Sequence, residues 1–170
     1  LGLVFEEYYE ELAANDVRIT ISDLNTAAEY AKAGARIGKN VHIHLALDTG
    51  MSRIGMTPDE KGADLAAEIA GLPGICVEGL FTHFARADEE DKTSTEEQLK
   101  RYLHFTELLK ERGVEIPIKH CANSAAIIDL PHMGFDMVRA GISVYGLYPS
   151  EEVNKLAAPI VPVMSLKSHI

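Results

Sequence analysis

The sequence contains no tryptophan, only two cysteines and no long apolar run. The cysteines and the apolar runs each argue against a class of protein. Cys76 and Cys121 are far apart and form no CxxC motif, which argues against both a zinc site and a disulfide framework. No apolar run approaches the roughly 20 residues that span a bilayer, and the first residues lack the features of a signal peptide. We therefore predict a cytoplasmic protein with reduced thiols.

Basic residues are scarce as well. The chain has 16 lysines and arginines against 26 aspartates and glutamates, which gives a formal net charge of −10. A nucleic acid or an anionic membrane is not an expected partner, because such partners require a basic surface. Apolar residues make up 46% of the 170 residues, which is enough for one globular core.

Both ends of the sequence look cut. The chain starts at Leu1 within a helix-like stretch, and near its other end Val161, Val163 and Ser165 alternate with other residues as they would in a strand. We expect the chain to be part of a longer polypeptide.

Strand-like and helix-like segments alternate along the chain. Short segments rich in β-branched residues predict strands at 17–21, 40–47, 75–84 and 116–121, with further strand signals at 135–138 and 142–148. Between them, apolar residues recur every three or four positions. This alternation predicts βαβ units and a parallel sheet with right-handed crossovers.

Capping signals mark where the predicted helices begin. Helix starts are predicted at Ser22, at a capping box that runs from Thr57 to Glu60 with Pro58 as the first helical residue, at Ser94 and at Asn123. The long helix after Ser94 is predicted to end at Gly113 and to bury Leu99, Tyr102, Leu103 and Leu109.

Polar residues follow the ends of several predicted strands. They lie at 48–53, at His83, at 123–124 and at 139–142. The glycine-rich turns GxGxxG and GxxxxGK[ST] that often mark the ligand site of a doubly wound sheet do not occur. We therefore predict an α/β fold of the (β/α)8 barrel type, present only in part as five or six βα units, since a complete barrel takes about 250 residues.

Two histidines on one predicted strand suggest an alternative function. His42 and His44 are two residues apart and share a face, and an HxH pair at a barrel mouth is one way to hold a metal. A metal-dependent barrel hydrolase would use these two residues together with His83 and His120.

Arg139 is unusual because it lies in an otherwise apolar run. A buried guanidinium without partners costs on the order of several kcal/mol, so it must be paired. The hydroxyl of Ser124 and the amides of Gly141 and Ile142 could hold a phosphate, while Arg139 could donate to a ring nitrogen. A phosphorylated pyridine would fit both groups, although Asn123 and Ser124 could equally be plain helix caps.

Four motifs make the resemblance specific. The chain contains, in this order, DTGMSRIGM, GLFTHFARADEED, ANSAAIIDLP and FDMVRAGISVYGLYPS. Together they resemble alanine racemases, the fold-type III pyridoxal 5′-phosphate enzymes that interconvert L- and D-alanine and supply D-alanine for peptidoglycan. The resemblance implies a (β/α)8 barrel followed by a mainly β domain, in a homodimer whose sites are completed by the partner subunit. On this basis 1–150 would be the central part of the cofactor-binding barrel, and 151–170 a linker with the first strand of a β domain that is otherwise absent.

The resemblance also assigns roles to matching positions. Asn123, Ser124, Gly141 and Ile142 would bind the cofactor phosphate, and Arg139 would face the pyridine nitrogen. His83 would support Arg139 and the catalytic tyrosine instead of transferring a proton itself, so it counts among both the catalytic and the cofactor-binding residues. Arg53 would contact the phenolic oxygen of the cofactor and bind the carboxylate of the alanine substrate, as a catalytic and substrate-binding residue.

Two residues that the family needs for catalysis find no match in this chain, and one position departs from the family pattern. No lysine matches the one that holds the cofactor, and no residue matches the catalytic tyrosine, so we predict a chain that is inactive alone. Ala46 replaces the lysine that many members carry as a carbamate, so Arg53 would be oriented by a bound anion or another side chain. The motifs do not separate an alanine racemase from a serine racemase or one of broader specificity.

Overall fold

Parallel strands flanked by helices form the described structure, a computed structural model that covers residues 2–163 and 165–168. The sheet has four strands in the order β1-β2-β3-β4, all parallel. They are β1 Ile19–Ile21, β2 Val41–Ala46, β3 Ile75–Phe81 and β4 Ile118–His120. The helices are α1 Tyr9–Ala14, α2 Leu24–Arg36, α3 Glu60–Ala70, α4 Thr93–Glu111 and α5 Ser124–Asp129, with 3-10 turns at Glu6–Tyr8, Pro131–Met133 and Ile142–Tyr145.

The parallel α/β architecture confirms the predicted class, but the predicted five or six units are too many. The described residues form four strands, and neither 135–138 nor 142–148 is one of them. In the first of these segments Asp136 N donates to Lys119 O of β4 at 3.1 Å, and just after the segment Arg139 N donates to Ala122 O, two residues beyond β4, at 2.9 Å. The second begins with a 3-10 turn that ends at Gly146, whose left-handed φ of 78° stops any extension.

Side-chain caps explain where three of the helices begin. Asp23 caps α2 by accepting from Thr26 N at 2.8 Å, and Asp59 caps α3 by accepting from Gly62 N at 2.8 Å. Asn123 caps α5 as predicted, accepting from Ala126 N at 3.1 Å.

Three predicted helix starts are wrong by one or two residues. Asp23 takes the role assigned to Ser22, and Asp59 takes the place of the capping box, so Pro58 lies before the helix. Ser94 lies inside α4, which begins at Thr93 without a side-chain cap. Gly113 follows the end of this helix with a left-handed φ of 72°, as expected for a terminating glycine.

The core lies between one face of the sheet and the helices. Alternation along β2 turns Val41, Ile43 and Leu45 toward the core, where they join a cluster of buried side chains from the helices. The largest of these are Tyr30, Ile69, Tyr102, Phe105 and Leu109. The other face of the strands carries polar side chains, among them His44 and Glu78.

The last residues are irregular where they are described. Residues 159–163 and 165–168 belong to no helix or strand, and Met164, His169 and Ile170 lie outside the described residues. The strand and the domain boundary predicted within 151–170 therefore stay predictions. Among the residues described, none of the helices is both long and apolar enough to cross a bilayer.

Candidate functional site

A cavity of about 300 Å³ opens where the loops after β3 and β4 meet. Its lining includes six residues that the sequence singled out from separate motifs: His83, Asn123, Ser124, Arg139, Gly141 and Ile142. The carboxyl ends of parallel strands are where such folds place their sites, because the following loops meet at one rim. The structure thus brings the predicted cofactor residues together on a shared cavity.

The hydroxyl of Ser124 organises the phosphate side of this cavity. Its Oγ accepts from Gly141 N at 2.9 Å and from Ser143 N at 3.3 Å, and Ser143 Oγ lies 3.1 Å away. Ser143 Oγ donates to Ser124 Oγ, as the two amides do. Because Ser124 Oγ is the acceptor in each of these contacts, its own proton remains available to donate to a ligand. Ser143 is a residue that the sequence analysis missed.

Arg139 is tied to the ends of β3 and β4 through its terminal nitrogens. Nη1 donates to His120 Nδ1 at 2.6 Å and to His120 O at 3.1 Å, while Nη2 donates to Thr82 O at 2.7 Å and to Cys121 O at 3.2 Å. A guanidinium has five N–H groups, and these bonds use the four on the two Nη atoms. The fifth, on Nε, is buried and has no partner among the described residues.

His83 is neutral in this environment. Burial, together with the positive charges of Arg139 and Arg53, lowers its pKa to about 4. Its Nδ1 is buried and also lacks a partner among the described residues. A neutral ring beside Arg139 can accept or donate one hydrogen bond, but it brings no second positive charge into the cavity.

Arg53 does not line the cavity. It is exposed in the loop after β2, which is held by Asp48, whose Oδ1 accepts from Gly50 N at 3.0 Å and from Ser52 N at 2.9 Å. Arg53 is still close enough for its charge to help lower the pKa of His83. Ala46, where many family members carry the modified lysine, is completely buried.

Gln98 on α4 is a second residue that the sequence analysis missed. Its Nε2 donates to Thr49 Oγ1 at 3.0 Å and to His83 O at 3.1 Å, and its Oε1 accepts from Ala85 N at 2.8 Å. The side chain is only 2% exposed, so these bonds satisfy the whole amide in the interior. Thr49 Oγ1 in turn lies 2.8 Å from Thr82 Oγ1. Gln98 therefore fixes the loop after β2 relative to the loop that carries His83.

The histidines proposed for a metal-dependent hydrolase do not form one site. His44 Nδ1 lies 2.8 Å from His120 Nε2, but His42 faces Asp16, and His83 lines the cavity. Within residues 2–163 and 165–168, no group of three or more His, Cys, Asp or Glu side chains is arranged to hold a metal.

The cavity offers chemically different donors at its two sides. Ser124, Ser143 and the adjacent amides suit an anion such as a phosphate, while the unused Nε–H of Arg139 suits one hydrogen-bond acceptor such as a ring nitrogen. Asp88 also lines the cavity and would repel an anion placed beside it. This donor set fits a phosphorylated nitrogen heterocycle.

Comparison with known proteins agrees with this arrangement. The alanine racemase N-terminal domain family matches residues 1–149. An alanine racemase of Clostridium perfringens is 44% identical over all 170 residues, and one of Methanococcus maripaludis is 45% identical over 166 residues. The chain spans 44% of the length of each of these curated relatives.

A solved structure shows the same fold. The alanine racemase of Clostridium difficile 630 in complex with cycloserine superposes with a TM-score of 0.92 at 40% sequence identity, over 95% of this chain and 44% of that one. The similarity confirms the prediction of a partial barrel. With the four motifs, the matched domain and the superposed fold all in agreement, the chain belongs to the alanine racemase family.

Proposed function

We propose that this chain forms the pyridoxal 5′-phosphate-binding part of an amino-acid racemase that interconverts L- and D-alanine. The observation that carries the proposal is the cavity at the loops after β3 and β4, where Ser124 at the start of α5 meets Arg139, Gly141 and Ile142 from a later segment. Family membership supports the reaction. The whole enzyme is proposed to be a cytoplasmic homodimer that supplies D-alanine for peptidoglycan.

In this proposal the phosphate binds where Ser124 organises the turn. The Ser124 hydroxyl donates to a phosphate oxygen, and the amides of Gly141 and Ile142 turn toward the anion. Ser143, which already contacts Ser124 Oγ at 3.1 Å, adds a second hydroxyl. Asn123 contributes by capping α5 and so fixing the backbone that presents Ser124.

Arg139 sets the electronic character of the site. The cofactor, when bound, supplies an electron-withdrawing ring that acidifies the substrate α-hydrogen. Arg139 holds its Nε proton and donates only a hydrogen bond to the ring nitrogen, because a guanidinium remains protonated in proteins. By keeping its proton, Arg139 would limit how strongly a bound cofactor withdraws electrons, compared with a carboxylic acid at the same position, and would thereby favour reprotonation of the substrate over side reactions.

The remaining roles are divided between this chain and residues outside it. His83, neutral and next to Arg139, orients the catalytic tyrosine of the partner subunit, and Arg53 binds the substrate carboxylate. Racemisation needs one base on each face of the α-carbon. In the family these bases are a lysine and a tyrosine that no position of this chain matches, so the chain alone is proposed to be inactive. Serine or broader substrates remain the second candidate specificity.

A chimera tests the reaction. Residues 1–170 replace the matching segment of the Clostridium perfringens alanine racemase, which aligns with the whole chain. The chimera is expected to form D-alanine in an assay coupled to D-amino-acid oxidase, and comparison of L-alanine with L-serine decides the specificity. A chimera that folds and takes up pyridoxal phosphate but does not racemise either amino acid would contradict the proposal.

Matched arginine variants show whether this cavity is used. Arg139→Lys in the chimera is expected to lower kcat/KM about tenfold or more, because a lysine cannot reproduce the planar set of donors. Arg112→Lys is the control, since Arg112 pairs with Glu60 and Asp64 on the surface. Equal effects of the two changes would contradict the assignment.

Binding by the chain itself is measured with pyridoxamine 5′-phosphate. This probe lacks an aldehyde and cannot react with lysines, so the measured affinity reports the cavity alone. It is expected to bind weakly, to shift the NMR signals of Gly141 and Ile142, and to bind better than pyridoxamine. Equal binding with and without the phosphate would contradict the assignment of Ser124 and its neighbouring amides.

A further inference from the structure

A chain of hydrogen bonds runs behind the cavity across the polar face of the sheet. Arg139 Nη1 lies 2.6 Å from His120 Nδ1, His120 Nε2 lies 2.8 Å from His44 Nδ1, and His44 Nε2 lies 3.4 Å from Glu78 Oε2. The carboxylate of Glu78 is held by Arg18, which donates from Nε to Oε2 at 2.7 Å and from Nη2 to Oε1 at 3.1 Å. The chain thus links the proposed cofactor site to an ion pair elsewhere on the sheet.

The chemistry of the end groups fixes the direction of every bond in this chain. A guanidinium has only donors, so His120 must accept at Nδ1 and carry its proton on Nε2. That proton points to His44, which must therefore accept at Nδ1 and carry its own proton on Nε2. The proton of His44 then points to Glu78, a carboxylate that only accepts. Protonating either ring at Nδ1 would place two donors against each other.

The surroundings keep both rings neutral, in agreement with this direction. Burial and the charge of Arg139 lower the pKa of His120 to about 3, with His44 adding a smaller effect. Burial also lowers the pKa of His44, against the opposing influence of Glu78 and with the help of Arg18 and Arg139. The contact between His44 and Glu78 is therefore a hydrogen bond from a neutral ring to a carboxylate, and not an ion pair.

The backbone and the packing leave room for these hydrogen-bonded side chains. A Cβ on Gly79 would lie 2.7 Å from the ring of His44, so the absence of a side chain there is required. The register between β2 and β3 shifts at Ile43/His44, which places Gly79 opposite His44. Phe81 stacks on His120 at 5.2 Å and lies 5.2 Å from the guanidinium carbon of Arg139.

We propose that His120, His44 and Glu78 are positioning residues that act through Arg139: they hold both imidazoles in the Nε2–H tautomer and fix the guanidinium so that its Nε–H alone remains free to donate. Their role in positioning Arg139 toward a ring nitrogen rests on the proposed cofactor site. The tautomers of the two histidines and the fixed Nε–H of Arg139 do not depend on a bound cofactor.

NMR of the histidine and arginine side chains tests the direction of the chain without a ligand. In uniformly ¹⁵N-labelled protein, His44 and His120 are both expected as neutral Nε2–H rings at pH 7, and the Arg139 Nε–H is expected to exchange slowly with solvent. A protonated ring, or an Nδ1–H tautomer at either position, would overturn the proposal whatever the protein binds.

Three substitutions at two positions of β2 separate a positioning role from general stability. His44→Phe removes the acceptor for His120, and we expect the Arg139 Nε–H to exchange about tenfold faster, in line with the loss of one hydrogen bond. His44→Gln keeps an acceptor oxygen and should restore slow exchange. His42→Phe is the matched control, because His42 contacts Asp16, which is connected to this hydrogen-bond chain only at its far end, through Arg18. Equal exchange in all variants would overturn the positioning role.

Affinity for pyridoxamine 5′-phosphate gives the functional readout. His44→Phe is expected to weaken binding about tenfold while His44→Gln and His42→Phe keep it. If His44→Phe binds the probe as tightly as the wild type does, while the wild type shows the expected tautomers, the hydrogen-bond chain has only a structural role. That result would contradict its positioning role. If the wild type does not bind the probe at all, the cofactor site fails, and the exchange of the Arg139 Nε–H alone decides the positioning role.

Discussion

Lowering the pH from 8 to 5 is expected to destabilise the fold through its buried histidines. Burial, Arg139 and Arg53 lower the pKa of His83 to about 4, and burial, Arg139 and His44 lower that of His120 to about 3. In the unfolded chain both rings titrate near pH 6.5. Between about pH 6.5 and these lowered values, the unfolded state binds protons that the native state does not. Stability is therefore fully present above about pH 6.5 and falls as the pH decreases.

The size of the effect follows from proton linkage. At pH 5 an unfolded ring carries almost one proton and a native ring almost none, a difference of about 0.9 protons. Each ring then contributes a slope of about 1.2 kcal/mol per pH unit in the free energy of unfolding, and a loss of about 2 kcal/mol between pH 8 and pH 5. His44, whose pKa is also lowered, adds to this loss.

Guanidinium chloride unfolding at several pH values between 5 and 8 measures the slope. Measurement above pH 5 separates the histidines from carboxylates such as Glu78 and Asp59, whose lowered pKa values affect stability only in a more acidic range. His83→Gln should reduce the slope near pH 5 by about 1.2 kcal/mol per pH unit. His104→Gln, at an exposed position on α4, should leave it unchanged.

A wild-type stability that is constant from pH 8 to pH 5 would refute the reasoning, because it would mean that the buried rings titrate as they do in the unfolded chain. So would a His83→Gln variant with the wild-type slope. The slope is the decisive quantity, since a substitution that weakens packing shifts all free energies together without changing their dependence on pH.

Two other predictions concern buried polar groups. Gln98→Leu should lower the free energy of unfolding by about 2 kcal/mol or more, because it removes the acceptor of the Ala85 N–H. Glu97→Gln, on the exposed side of α4, is the control and should change the free energy of unfolding by less than about 0.5 kcal/mol. Similar losses for the two variants in urea unfolding would contradict the role of Gln98. In native protein an aromatic disulfide reagent should modify one thiol, the exposed Cys76. Cys121 should not react, because it is buried and burial raises its pKa to about 12. Modification of two thiols before unfolding would contradict this prediction.

The sequence predicted the order of strands and helices well because alternating and helical periodicities are local signals. It failed at 135–138 and 142–148, where β-branched and aromatic residues lie in loops and a 3-10 turn instead of pairing in a ladder. Local composition does not show which segment reaches a partner strand. Asp23 and Asp59 were missed as caps because neighbouring serine and threonine residues carry the same signal.

The residues that line the cavity were predicted better than the residues that hold them in place. The motifs located the residues that line the cavity, but on α4 Leu103 was wrongly predicted to be buried and Gln98 was missed, because the prediction followed hydrophobicity. Leu103 is 42% exposed, whereas Gln98 is buried because its hydrogen-bond partners come from loops distant in the sequence. The tie between His44 and His120 joins β2 to β4, which are not neighbours in the sheet. A single sequence contains no signal for such a contact.

Arg139 couples two properties that evolution could otherwise change separately. The same guanidinium that faces the proposed ring nitrogen also closes the ends of β3 and β4 by donating to the carbonyl oxygens of Thr82, His120 and Cys121. A replacement such as a carboxylic acid would remove the donors that Arg139 supplies to those three oxygens. If the proposed function holds, any change of reaction specificity at this position would also have to preserve the ends of the two strands.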